Sequence, residues 1–233
     1  MENAQEVESI NRQIWDGDYW GRTGAVARAR VLFAVDPEPH FHLYATALYS
    51  ALGRAKSDMK YLSPLAPYRL AYCALELQRL LPRIRAAAYD RHTRPDDMDS
   101  IVSWLYGISR VAFVIPANAR RDARAWAQRA VDLGIGRAES MLCQPHTLPL
   151  LLISKARMLA DRVPPRKPQL ARYPLYEAIR LSERITDPRQ LARAYKGIGD
   201  VYGLLGNNSE RRAWRKKAAT VPGIAEDTRA KLR

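Results

Sequence analysis

An all-α chain built from antiparallel helix pairs is what this sequence predicts, and three observations carry the prediction. Period-two alternation of β-branched residues, the mark of a half-buried strand, occurs over no useful length. Ala, Leu and Arg, all good helix formers, recur at helical spacing throughout. Proline and glycine interrupt these stretches often enough to leave room for one helix at a time.

Taken in order, the first helix is expected from about Gln5 to Ile14, ending at Asp16-Gly17-Asp18, and the second from about Thr23 to Val35, stopped by Asp36-Pro37. Leu43, Ala47, Leu48, Ala51 and Leu52 share a face of a third helix over about Phe41 to Leu52, which Gly53 closes as a left-handed residue. Pro64 and Pro67 precede a fourth, Tyr68 to Leu81, that stops near Pro82; a short helical turn over Arg83 to Asp90 and a loop around Pro95 follow. Asp99 or Ser100 caps the next helix, which runs to about Ile115, and its pair runs from about Arg120 to Leu133 with Gly134 after it. Leu148 to Arg162 and Tyr173 to Ile185 flank the Pro-rich, basic stretch at 163–168. Asp187-Pro188 then opens the last pair, about Arg189 to Leu205 and Ser209 to Thr220, with a short helix expected in the tail after Pro222.

With 47% apolar residues in 233, the chain can bury a real core, read as one elongated domain over 1–233 with a weak division near 91–98. Lys and Arg outnumber Asp and Glu 38 to 24, a net charge of +14 that favours acidic protein surfaces or polyanions as partners. Cys73 and Cys143 are the only cysteines and neither has a zinc or redox spacing, which points to a reducing compartment. Glu2, Glu6 and Glu8 with no apolar run behind them argue against a secretory or organellar leader, so the expected location is cytoplasmic. The longest apolar runs, Val111 to Ile115 and Leu148 to Ile153, fall far short of the ~20 residues that span a bilayer, and no membrane partner is expected.

The last hairpin carries the most informative pattern. In Ile198-Gly199-Asp200-Val201-Tyr202-Gly203-Leu204-Leu205-Gly206, a small residue lets the partner helix approach, a Tyr three residues on fills the space above it, and Gly206 reverses the chain ahead of Trp214, Ala218 and Ala219. Ala45 and Tyr49 before Gly53 repeat the first half of that pattern. Second helices share small positions: Ala25, Ala29 and Leu32; Ala123, Ala127 and Ala130; Ala178, Ser182 and Ile185. The chain resembles the tetratricopeptide (TPR) repeat proteins, most clearly over 189–222. It departs from them at Arg211, where the family has a small residue, and at the 163–168 insertion, which lengthens one unit beyond about 34 residues.

The resemblance implies helix pairs stacked in a right-handed superhelix and a non-enzymatic adaptor or scaffold, in some members a peptide-sensing regulatory module, that holds a protein or peptide in a groove lined by first helices. Groove positions here would be Arg193, Lys196 and Asp200, flanked by Arg157, a set suited to an acidic peptide by charge-assisted hydrogen bonds. The Asn residues that accompany such cations in carboxylate-binding members are absent from the pattern. An ion pair between Lys196 and Asp200 on a solvated face is the plainer reading of the same residues.

Arg211, Arg212, Arg215, Lys216 and Lys217 form a dense basic cluster that would suit a polyanion, or simply keep a terminal repeat soluble. Arg120, Arg121, Arg124 and Arg129 near Trp126, and Arg162, Arg166, Lys167 and Arg172 near the prolines, make two further clusters. His40-x-His42 lacks a third ligand and reads as a surface helix start, while His92 and His146 fall in loops. Gly17, Gly21 and Gly24 lack the Lys-Ser/Thr of a phosphate loop, and no catalytic constellation, metal site or cofactor site stands out. A nucleic-acid-associated structural or regulatory subunit, and an all-α enzyme with a site assembled from distant residues, are the competing classes. Tyr61, Tyr68 and Trp20 are the aromatics expected to serve either an interface or packing.

Overall fold

The computed structural model describes residues 2–16, 19–60, 65–90, 92–111, 114–161 and 167–224. Every regular element among them is a helix, so the chain is all-α: α1 (Glu2–Asp16), α2 (Tyr19–Val35), α3 (Pro37–Lys60), α4 (Ala66–Arg79), α5 (Leu81–Tyr89), α6 (Pro95–Ser109), α7 (Ala117–Ser140), α8 (Thr147–Ala160), α9 (Arg172–Ser182), α10 (Pro188–Leu204) and α11 (Asn208–Ala219). Tyr61, the basic residues Arg162 and Arg166, and the tail after Ile224 lie outside the described residues. The chain divides into two compact units, Met1–Ala86 with Ser103–Arg124, and Ala87–Val102 with Ala125–Arg233.

Proline sets several boundaries. Asp36 before Pro37 is pushed out of the helical region, so α2 ends at Val35 and Pro37 starts α3 with its missing N–H at a position that needs none. Pro82 cannot donate to Gln78, and the chain breaks at Leu80 into α4 and α5.

Three expectations are corrected. Gly53 does not close its helix: α3 runs on to Lys60, with Ala55 buried beyond the glycine. Gly134 likewise lies inside α7, where a Cβ would stand 3.1 Å from Met98 Cβ and 3.2 Å from Leu151 Cδ1; it is small because neighbours press on it. Asp99 is not a cap, because α6 begins a full turn earlier at Pro95, and that helix ends at Ser109 instead of about Ile115.

In the first unit, α3 packs on α1, α2 and α4. Arg28 ties α2 to α1 by donating to Glu6, Ser9 and Gln13 at 2.6–3.2 Å, which holds the Glu6 carboxyl below its ordinary range. Trp104 is buried against the edges of Phe41 and His42, with ring centres 5.8 and 5.2 Å away. His40 is buried at the start of α3, its Nδ1 2.9 Å from the Asp36 carbonyl, so the helix start is as expected but its His40 is not on the surface.

In the second unit, α8 packs on α9, and α10 packs on α8, α9 and α11 around a core of Leu150, Ile153, Ala156, Leu175, Ala178, Ile198, Val201 and Ala218. Asp187 caps α10 by accepting from the Gln190 N–H at 2.8 Å, and Asn207 caps α11 by accepting from Glu210 N–H at 3.2 Å. Between them Gly206 takes φ +85°, a value that costs an L side chain strain. Its N–H donates to the Gly203 carbonyl and that of Asn207 to the Tyr202 carbonyl, the paired bonds of a Schellman turn. Gly199 meets the facing helix as the sequence suggests: its Cβ position is 3.1 Å from the Arg211 carbonyl oxygen.

Candidate functional site

Because α10 is packed on by α8, α9 and α11, its exposed residues are confined to one stripe. Its exposed residues are Arg189, Arg193 and Lys196, with Asp200 half-buried next in line. The spacing of four, three and four residues places all of them on one face of a helix. Arg193, Lys196 and Asp200 therefore do line a common strip, and Arg189 extends it by a turn.

The charges on this strip are held by partners from other elements. Arg193 Nη2 donates to Asp99 Oδ2 at 2.6 Å, and the Asp99 side chain is only 8% exposed. A carboxylate that buried needs a partner, so the guanidinium is fixed at one end while 41% of its side chain stays in solvent. Asp200 lies between two guanidiniums: Arg215 of α11 donates at 2.9 Å, and Arg157 of α8 stands 3.7 Å away. The expected Lys196–Asp200 pair does not form, since both Asp200 oxygens are engaged by these arginines, and Lys196 projects freely.

Gly197 makes the Arg157 contact possible. A Cβ built there would lie 2.8 Å from Ile153 Cγ2, so any larger residue would push α8 and α10 apart and open the ion pair one turn away.

The near end of the strip carries a second polar group. Asp96 accepts from Thr147 Oγ1 and from the Gln144 N–H, and His146 stands beside it. Burial lowers the His146 pKa below its ordinary 6.5; Asp96 opposes the shift, Arg193 adds to it, and Asp187 and Asp99 oppose it more weakly. A base whose folded pKa is depressed takes up its proton less readily folded than unfolded, so stability should fall as pH drops below about 6.5 and level off once both states are charged. Urea unfolding from pH 8 to 5 is expected to show that decline and His146→Gln to flatten it; an unchanged slope in the variant would assign the effect elsewhere.

The five cations of α11 do not form one patch. Arg215 is turned inward to Asp200, and the Arg211 stem covers Gly203, with its Cδ 2.7 Å from that residue's Cβ position. Lys217 Nζ sits 4.4 Å from the Tyr195 ring centre and 4.7 Å from that of Trp214, a two-ring cation–π contact. Arg212 and Lys216 are exposed one turn apart, and Arg212 Nε donates to the Asn208 carbonyl.

Among the α7 cations, Arg124 is buried, 5.9 Å from the Tyr106 ring centre, and Arg129 lies over Trp126 at 5.3 Å. Among the described residues, no group of three or more His, Cys, Asp or Glu side chains could hold a metal ion, and no helix is long and apolar enough to cross a membrane. Cys73 and Cys143 are both free, and burial pushes the Cys73 thiol up to about 12.

Asp99 and Arg215, which fix the strip, carry no local signal of that role in the sequence. Arg189 could have been found by extending the helical spacing one turn back. Comparison with protein-family models, with curated proteins and with solved structures finds no match.

Proposed function

We propose that the chain is a non-enzymatic helical scaffold that holds an acidic peptide segment of a partner protein along the open strip of α10. The observation that carries this reading is the strip itself: Arg193 held by buried Asp99, Lys196 free, and Asp200 clamped by Arg157 and Arg215. Arg193, held by Asp99, loses little side-chain freedom when a carboxylate arrives, and Arg193 and Lys196 can each make a charge-assisted hydrogen bond.

TPR-like stacking is part of the same proposal. Its support lies in the second unit, where Ile153 faces Gly197 and Arg157 faces Asp200, so α8 and α10 run side by side in one direction. The intervening α9 packs on both, as successive first helices and an intervening second helix do in a repeat array. A groove lined by first helices would then run along the strip, in a right-handed superhelix and in a cytoplasmic setting.

Lys196→Glu tests the site without touching the core, because the side chain is exposed and engages no ion pair among the described residues. Peptides selected on the wild-type protein from a random display library are expected to be acidic and to bind the variant about tenfold more weakly, with a flatter salt dependence. Selection of neutral or basic peptides, or equal binding by the variant, would remove this strip as the site.

A further inference from the structure

On the other side of α10 from Asp200, its C-terminal end, α9 and the turn leading into α9 form a cleft of about 590 Å³. We propose that this cleft binds a nucleotide unit of single-stranded nucleic acid, with the base against Tyr176 and the phosphate at Arg172.

The chemistry of the lining selects that ligand. Leu175, Ile179 and Leu205 give the cleft its apolar part, and Tyr176 and Tyr202 line it as well. Its volume falls in the ~300–1,000 Å³ range of small-ligand sites. Tyr176 is 68% exposed and Tyr173, one turn away, 75% exposed, an unusual outlay of aromatic surface on one helix face.

Arg172 and Arg180 share that face at positions i and i+8, so the rings are interleaved with cations and not set in a continuous aliphatic patch of the kind a protein partner would cover. Arg180 is paired with Glu177 at 2.8 Å, whereas Arg172 is exposed and has no ion-pair partner among the described residues, which leaves it open to a phosphate.

Polar readers of a base edge are also in place. Asn207 Oδ1 already accepts from the Glu210 N–H and from Ser209 Oγ, so its Nδ2 is the part left to donate, and Gln169 supplies a second amide. Stacking on Tyr needs an unstacked base, which a single strand offers and an intact duplex does not. The net charge of +14 draws any such strand to the molecule but does not place it; the cleft does.

Fluorescence anisotropy of a short labelled oligothymidylate, with its duplex and free thymidine monophosphate as competitors, tests the assignment. Tyr176→Ala is expected to weaken single-strand binding about tenfold or more, and Tyr176→Phe to stay within about twofold, because the ring and not the hydroxyl carries the stacking. Arg172→Ala should weaken binding several-fold and lower the salt slope by about one phosphate contact. Circular dichroism should show all three variants folded, since both side chains are exposed.

The proposal is overturned if no binding is detected at low salt, if Tyr176→Ala binds as well as wild type, or if the duplex competes as well as the single strand. Free monophosphate competing as well as the oligomer would overturn the strand and leave a mononucleotide site.

Discussion

Gly197→Val is expected to destabilise the protein by about 2–3 kcal/mol and to break the Arg157–Asp200 contact. Even a bare Cβ at this position would stand 2.8 Å from Ile153 Cγ2, closer than side-chain carbons approach, and valine adds two stiff methyls there. The helix-propensity gain over glycine, a few tenths of a kcal/mol, does not offset that overlap.

Gly197→Ala should sit between the two, because its gain of about 1 kcal/mol in propensity is set against a single overlapping methyl. Ile153→Ala makes room for that methyl, so the two alanine changes together should cost less than their sum by about 1–2 kcal/mol. Urea unfolding of the four proteins in the cycle measures this coupling. Additivity would mean that α8 and α10 are not pressed together at this point.

Trp104→Ala should have the largest effect on the first unit, about 3–5 kcal/mol. The indole is 1% exposed and meets Phe41 and His42 edge-on, so truncation removes a large buried surface together with two aromatic contacts. Trp104→Phe keeps part of the ring volume and should lose less than half as much. A melting temperature within a few degrees of wild type for the alanine variant would show that this residue is not a core residue.

Local signals were legible in the sequence. Asp187-Pro188 reads as the start of a helix and Gly206 as a reversal, because each acts within a few residues of itself. Gly53 and Gly134 misled for a related reason: one residue type serves both helix ends and helix interiors. Gly134 is glycine because Met98 and Leu151, far away in sequence, press on it.

Long-range charge pairing was the larger blind spot. Lys196 and Asp200 have the spacing of a helical ion pair, yet arginines from α8 and α11 occupy the carboxylate first. Asp99 had the look of a cap because it precedes an apolar run; its partner Arg193 is 94 residues on, a separation no local pattern reports. Arg193, Lys196, Asp200 and Arg157 could be named from the resemblance to TPR repeats, but not which of them would be left free.

Affinity capture of the tagged protein from its native lysate, with and without nuclease and with Lys196→Glu in parallel, tests the scaffold reading most directly. Protein partners that survive nuclease and are lost from the Lys196→Glu sample are the expected result. Partners recovered equally by both proteins, or none remaining after nuclease, would contradict it.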